Sequence, residues 1–283
     1  MTRSSGLDAL RVLALALVVL AHVIVVVPLT AVPAGVLGVD WGQLGVACFC
    51  VMAGYFAAGD RKPLGAWAAD RVVRLFPAYW LVTLAAFAGN ELVGYKPATL
   101  GLFVSQMLGL GYFTHGGANL INVPSWFLSL IVACYVVAAL VRVSRAPRLT
   151  LVGLAAVTLA LVALGLHADF TRQILAFLAG MGVRLAGGLE RPPSVRASVA
   201  LVAPALVLIS PNFAYTGWAL SLFLLFAALP LPAWAPVRFV SDYSYELFLV
   251  HGPIVVLVGR RLALPGPLAL LAGVTLALGA ALL

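Results

Sequence analysis

The chain predicts an all-α fold, a polytopic transmembrane helix bundle of about ten spans, and three observations carry that reading. Of its 283 residues, 64% are hydrophobic and only 9% are charged, whereas an ordinary soluble domain is about 25% charged. Its mean hydropathy is +1.12. Apolar runs approaching the ~20 residues of a bilayer crossing recur along its length, cut by charges, prolines and glycines. The net charge of +8 fits Lys and Arg gathered in cytoplasmic loops. No basic stripe interleaved with aromatics points to nucleic acid. Cys48, Cys50 and Cys134 lie in apolar runs without metal-ligand spacing, so they read as small buried residues and no metal is expected.

The spans are expected at Leu7–Pro28, Gly42–Gly59, Val73–Gly89, Ser125–Val143, Leu149–Leu166, Ile174–Gly187, Val195–Ser210, Phe213–Leu231, Phe239–Val258 and Leu264–Leu283. The first run is too long for a signal-peptide core and lacks a clear small-residue cleavage site, which makes it a retained span. Thr99–Phe113 reads as a re-entrant or interfacial segment. No linker marks a boundary, so residues 1–283 are expected to form a single membrane-embedded domain. With the N-terminus inside, the cytoplasmic face collects Arg3, Arg61, Lys62, Arg71, Arg74, Arg142, Arg145, Arg148, Arg184, Arg191, Arg196 and Arg238. The outside keeps Lys96, Arg172, Arg260 and Arg261. That asymmetry predicts cytoplasmic N- and C-termini for an even number of spans, with the Arg260–Arg261 pair running against the rule.

The first span carries the most informative polar residues. Within Leu7–Pro28 stand Asp8, Arg11 and His22, and an ionisable group facing lipid costs about 2.5 kcal/mol or more. Each is therefore expected to face protein or a water-filled cavity. Arg11 and His22 are eleven residues apart, close to three helical turns, which places them on one stripe about 16 Å from each other. Asp8, one turn before Arg11, is placed to pair with it. In the second span, Gly45 and Gly54 fit close packing between helices. Arg71 and Arg74 share a face at the mouth of the third span, followed by Pro77, Tyr79 and Trp80. That pair fits either positive-inside anchoring with an aromatic belt or a guanidinium clamp on phosphate oxygens.

Together these residues resemble the acyltransferase 3 family of integral membrane O-acyltransferases. Its opening motif, an arginine, ten residues and a histidine in an (I/L)D-x-L-R context, is similar to Leu7–Asp8–Ala9–Leu10–Arg11 followed by His22. The second-span glycine segment resembles Gly45–Val46 through Phe49 to Gly54–Tyr55. The R-x-x-R-(I/L)-x-P-x-Y-W element matches Arg71, Arg74, Leu75, Pro77, Tyr79 and Trp80. A tryptophan segment is similar to Pro124–Ser125–Trp126–Phe127–Leu128 to Tyr135, and a closing S-Y-x-x-Y-L-x-H to Ser244–Tyr245 through Leu249 to His251. The order of five motifs covers essentially the whole chain.

The resemblance implies transfer of an acyl group, usually acetyl, from acyl-coenzyme A to a hydroxyl of a sugar, a lipid-linked or cell-envelope glycan or a related acceptor. It implies an integral protein of a bacterial cytoplasmic membrane, in contact with membrane lipid. On that reading His22 and Arg11 are catalytic, and Arg71, Arg74 and Arg11 hold the donor phosphates. Asp8, Tyr79, Trp126, Tyr135, Ser244, Tyr245 and His251 support the site. The chemistry agrees, since an alcohol is a poor nucleophile near neutrality and imidazole is the side chain suited to take its proton.

Three positions depart from the pattern: Ile131 stands where many members carry Glu, Ala53 where many carry Ser, and Phe248 in place of a usual Tyr. Ile131 and Ala53 leave room for a degenerate, non-catalytic member acting as a scaffold. Intramembrane charges also mark transport pathways, which makes a transporter or flippase the other alternative. Inverted repeats and broken helices in matching halves, which would favour it, are not evident.

Overall fold

The structure, a computed structural model, describes residues 4–26, 33–36, 39–190, 193–208 and 210–258. The expected tenth span Leu264–Leu283, Arg260 and Arg261, Arg3 and Arg191 lie outside the described residues. The fold is all-α; a two-residue antiparallel pairing of Gly35–Val36 with Val39–Asp40 is its one β feature among the described residues. The chain divides into two compact units.

The first unit holds residues 1–18, 35–64 and 133–242. Its centre is α2 (Trp41–Gly59) against α8 (Ala168–Leu185) and α10 (Pro211–Ala228). Around them lie the first turns of α1 (Ser5–Val26), the later turns of α6 (Trp126–Val143), α7 (Pro147–Ala163), α9 (Pro193–Val202) and α11 (Ala235–Asp242). Asp40 caps α2 by accepting the Gln43 N–H at 2.8 Å, and Ser210 with Pro211 starts α10, as short polar residues and N1 prolines do. Two glycines set the α2–α8 approach. A Cβ on Gly54 would run into the Phe177 carbonyl, and one on Gly180 into that of Val51. Gly45 lies in the same way against the Ala14 carbonyl of α1. The close-packing reading of Gly45 and Gly54 thus holds, and the reason is that apolar helices in lipid gain from close backbone approach. Cys48, Cys50 and Cys134 are all free and buried.

The second unit holds residues 19–34, 65–132 and 243–283. It contains α3 (Leu64–Val93), the short helices α4 (Leu100–Met107) and α5 (Gly111–His115), and the first turns of α6. The last turns of α1 and α12 (Ser244–Leu257) complete it. Helices of eight and five residues are too short to cross a bilayer, in keeping with the interfacial reading of Thr99–Phe113.

Among the described residues, five helices are long and apolar enough to cross a membrane: Ser5–Val25, Trp41–Gly59, Leu64–Leu92, Val123–Val143 and Pro211–Ala228. Pro147–Ala163 and Ser244–Leu257 are shorter apolar helices. Several boundaries differ from those expected. The helix of the third span begins at Leu64 rather than Val73 and continues through Pro77. Arg71 and Arg74 are therefore helical, because long cationic side chains favour helix and carry their charge outward. The helix expected from Ile174 begins at Ala168, taking in Asp169 and Arg172, which pair one turn apart. Arg172, assigned from sequence to an outer loop, is buried and lies 4.3 Å over the Tyr215 ring. The seventh span is helical only to Val202 before a 3₁₀ stretch over Ala203–Leu208, where Pro204 lacks the N–H that an α-helix needs. The ninth, expected as one helix, is two, α11 and α12 parted at Tyr243, because Ser and Asp favour helix ends over helix interiors.

Candidate active site

In the second unit, α1 and α12 bring two histidines together. His22 Nδ1 lies 3.3 Å from His251 Nε2, and the rings meet edge to face with centroids 4.8 Å apart. His251 is only 1% exposed, and its Nδ1 is 2.6 Å from the Phe248 carbonyl. A carbonyl only accepts, so His251 Nδ1 carries the proton and donates it. In a neutral ring Nε2 is then the acceptor, and the proton in the contact between the rings is the one on His22 Nδ1. That leaves Nε2 as the unprotonated nitrogen of neutral His22. A single backbone carbonyl therefore sets the tautomer of both rings. The contact that residue 248 makes with His251 comes from its main chain, so Phe supplies it as well as Tyr. The Phe248 ring packs 4.8 Å from Phe127 and 5.6 Å from the His251 ring.

In the first unit, α1 carries a polar cluster instead. Asp8 is 4% exposed, and its Oδ1 accepts from Arg11 Nη1 at 3.2 Å and from Ser241 Oγ at 2.8 Å. The Arg11 guanidinium also lies 3.5 Å from Ser241 Oγ and 5.6 Å from the centre of the Phe56 ring. Asp8 and Arg11 thus pair as their helical spacing predicts. Ser241 and Phe56 were not found from sequence: a serine in a polar run and a phenylalanine in an apolar one carry no local sign of a partner hundreds of residues or one helix away.

The α3 residues divide by exposure. Arg71 lies 5.6 Å over the Trp67 ring, and Arg74 is exposed. Tyr79 is buried, and its hydroxyl donates to the Gln106 carbonyl at 2.5 Å. Trp80 Nε1 donates to the Met107 carbonyl at 2.8 Å. These two side chains thereby bind carbonyls in the last turn of α4, and that of Gln106 accepts the Gly109 N–H at 2.8 Å as well.

The remaining expected residues are placed as follows. Trp126 is buried at the start of α6, its ring 6.1 Å from that of Tyr112. Tyr135 lies 6.4 Å from the Phe177 ring in the first unit. Ser244 is buried at the first position of α12. Tyr245 donates its hydroxyl proton to the Leu75 carbonyl at 2.9 Å, tying α12 to α3. Glu246 has one carboxylate oxygen buried without a hydrogen-bond partner. Ile131, at the position where many relatives carry Glu, is a buried core side chain. Among the described residues no three His, Cys, Asp or Glu side chains gather as a metal site requires.

No curated protein and no solved structure matches the chain. A family model described as an acyltransferase domain matches residues 4–283, from before Asp8 to beyond His251, and so spans every residue of the candidate site. A helical membrane fold, an arginine and a histidine on its leading helix and this match lead to one conclusion: the chain belongs to the acyltransferase 3 family.

Proposed function

We propose that the protein is an integral membrane O-acyltransferase, one membrane-embedded domain over residues 1–283 with about ten spans and both termini cytoplasmic. Its donor is acyl-coenzyme A, acetyl in the simplest case, and its acceptor is a hydroxyl of a sugar, a cell-envelope glycan or a related molecule. The acceptor hydroxyl gives its proton to His22 Nε2 while its oxygen attacks the thioester carbonyl carbon. The carbon–sulfur bond breaks, the new ester forms, and the proton passes from His22 to the departing coenzyme A thiolate. Arg71, Arg74 and Arg11 supply guanidinium donors for the phosphates of the donor, which match phosphate oxygens in forked geometry. Asp8 holds Arg11, and His251 holds His22.

The observation that carries this reading is the His22–His251 contact. A base needs a lone pair presented by a fixed imidazole, and the Phe248 carbonyl orders the protons of both rings so that His22 Nε2 has one. The test is to incubate membranes bearing the protein with acetyl-labelled acetyl-coenzyme A and extracted envelope glycans, and to identify labelled species by mass spectrometry. Label appears in a glycan with the parent protein and is lost with His22→Ala at equal expression. Transfer that survives His22→Ala rejects the base, and labelled-substrate uptake without any transfer would favour a transporter.

A further inference from the structure

Helix α12 contains Pro253, which has no N–H to give to the carbonyl four residues earlier. That carbonyl belongs to Leu249, and it is not left unpaired: Asn122 Nδ2 donates to it at 3.1 Å. Asn122 is 1% exposed and stands just before the 3₁₀ turn Val123–Ser125 that leads into α6. Its approach depends on Gly252, where a Cβ would meet the Pro124 ring at 2.5 Å and Asn122 Oδ1 at 2.9 Å. The Leu249 carbonyl is the peptide group next to that of Phe248, whose carbonyl carries the His251 hydrogen bond.

We infer that Asn122 is a positioning residue for the reaction: its amide replaces the N–H that Pro253 lacks, and so holds the α12 turn whose Phe248 carbonyl orders His251 and His22. The inference rests on His22 acting as the base. The interruption at Pro253 lies beside the histidine that must be aimed, and a buried carbonyl without a donor would draw the turn out of place. An intact helix would fix the Leu249 carbonyl from within; here the fixing group comes from the segment before α6. That segment therefore reaches the reacting nitrogen through four hydrogen-bonded groups: Asn122, the 248–249 backbone, His251 and His22.

The two parts of this claim predict an unusual pattern of rescue. Asn122→Ala lowers kcat for transfer from acetyl-labelled acetyl-coenzyme A to extracted envelope glycans by about tenfold, the equivalent of one hydrogen bond, and leaves KM for acetyl-coenzyme A as in the parent. Asn122→Leu, of similar size but with no polar hydrogen to donate, behaves alike. Pro253→Ala restores the backbone donor, so Asn122→Ala in that background changes kcat by less than about twofold. Thermal unfolding of the purified variants in detergent is read in parallel, with Asn122→Ala lowering the midpoint in the parent background only.

An equal loss of kcat in both backgrounds overturns the inference, as does a parent-like rate for Asn122→Leu should Pro253→Ala not accumulate. Coupling seen in unfolding but not in rate also overturns it, leaving Asn122 a purely structural cap. Full activity of His22→Ala in the same assay removes the base instead, a result that the unfolding coupling of Asn122 and Pro253 does not touch.

Discussion

The hydroxyl of Ser241 donates to the carboxylate of Asp8 across 2.8 Å, joining positions 233 residues apart. The same oxygen accepts from Arg11, so one buried carboxylate orders a serine and a guanidinium at once. Ser241→Ala is expected to cost about 1 kcal/mol. Asp8→Ala is expected to cost more, about 1–3 kcal/mol, because it removes the carboxylate to which both Ser241 and Arg11 donate. The Arg11 side chain is 30% exposed, which keeps this loss below that of a fully buried pair. Denaturant unfolding in detergent measures both, and a double-mutant cycle reads the coupling. Additive losses would show that Ser241 and Asp8 do not interact.

His22→Ala should lower acyl transfer by about a hundredfold to ten-thousandfold, the range for removing a general base. His251→Ala should cost less, since it removes only the acceptor that holds the His22 proton on Nδ1. The double variant should be no worse than His22→Ala alone, because groups that act as one unit do not lose activity additively. Initial rates on membranes normalised for protein amount check the order.

Arg74→Ala is expected to raise KM for acetyl-coenzyme A about tenfold while leaving kcat near the parent value, the pattern for lost ground-state binding. Arg71→Ala should do the same and also lose the stack on Trp67. Unchanged KM in both variants would return the pair to a role in setting membrane orientation.

Gly54 and Gly65 should respond oppositely to the same substitution. At Gly54 a Cβ would enter the Phe177 carbonyl, so Gly54→Ala must push α2 and α8 apart and should lower the thermal midpoint strongly. At Gly65, within α3, a Cβ would meet nothing within 4 Å, and alanine should stabilise by about 0.5–1 kcal/mol through helix propensity alone. Equal effects at the two positions would mean that α2 and α8 do not meet as described.

The parts of the fold legible in the sequence are those set by local chemistry. Long apolar runs give α1, α2, α3, α6 and α10, because a backbone in lipid satisfies its own hydrogen bonds most simply as helix. The Asp8–Arg11 pair follows from helical spacing, and Gly54 from the need for close approach. Charge does not end a helix at Arg71 or Arg172, where the backbone hydrogen bonds of α3 and α8 continue through the cationic residues. The break at Tyr243 falls where Ser241, Asp242 and Ser244 interrupt the apolar run, a local signal that reading Phe239–Val258 as one span passes over.

Composition and spacing by themselves determined that this is an α-helical membrane protein with an arginine and a histidine on its leading helix, and the order of its motifs resembles that of an acyltransferase family. Only the tertiary structure decided that His22 meets His251, that Ser241 answers Asp8, and that Asn122 completes the bond Pro253 cannot make. The physical reason is range. Hydrophobicity and helical phase act over a turn or two and are written in neighbouring residues. The proton order of an imidazole depends on whichever donor or carbonyl the folded chain brings within about 3 Å of it, and for His22 that partner lies 229 residues away.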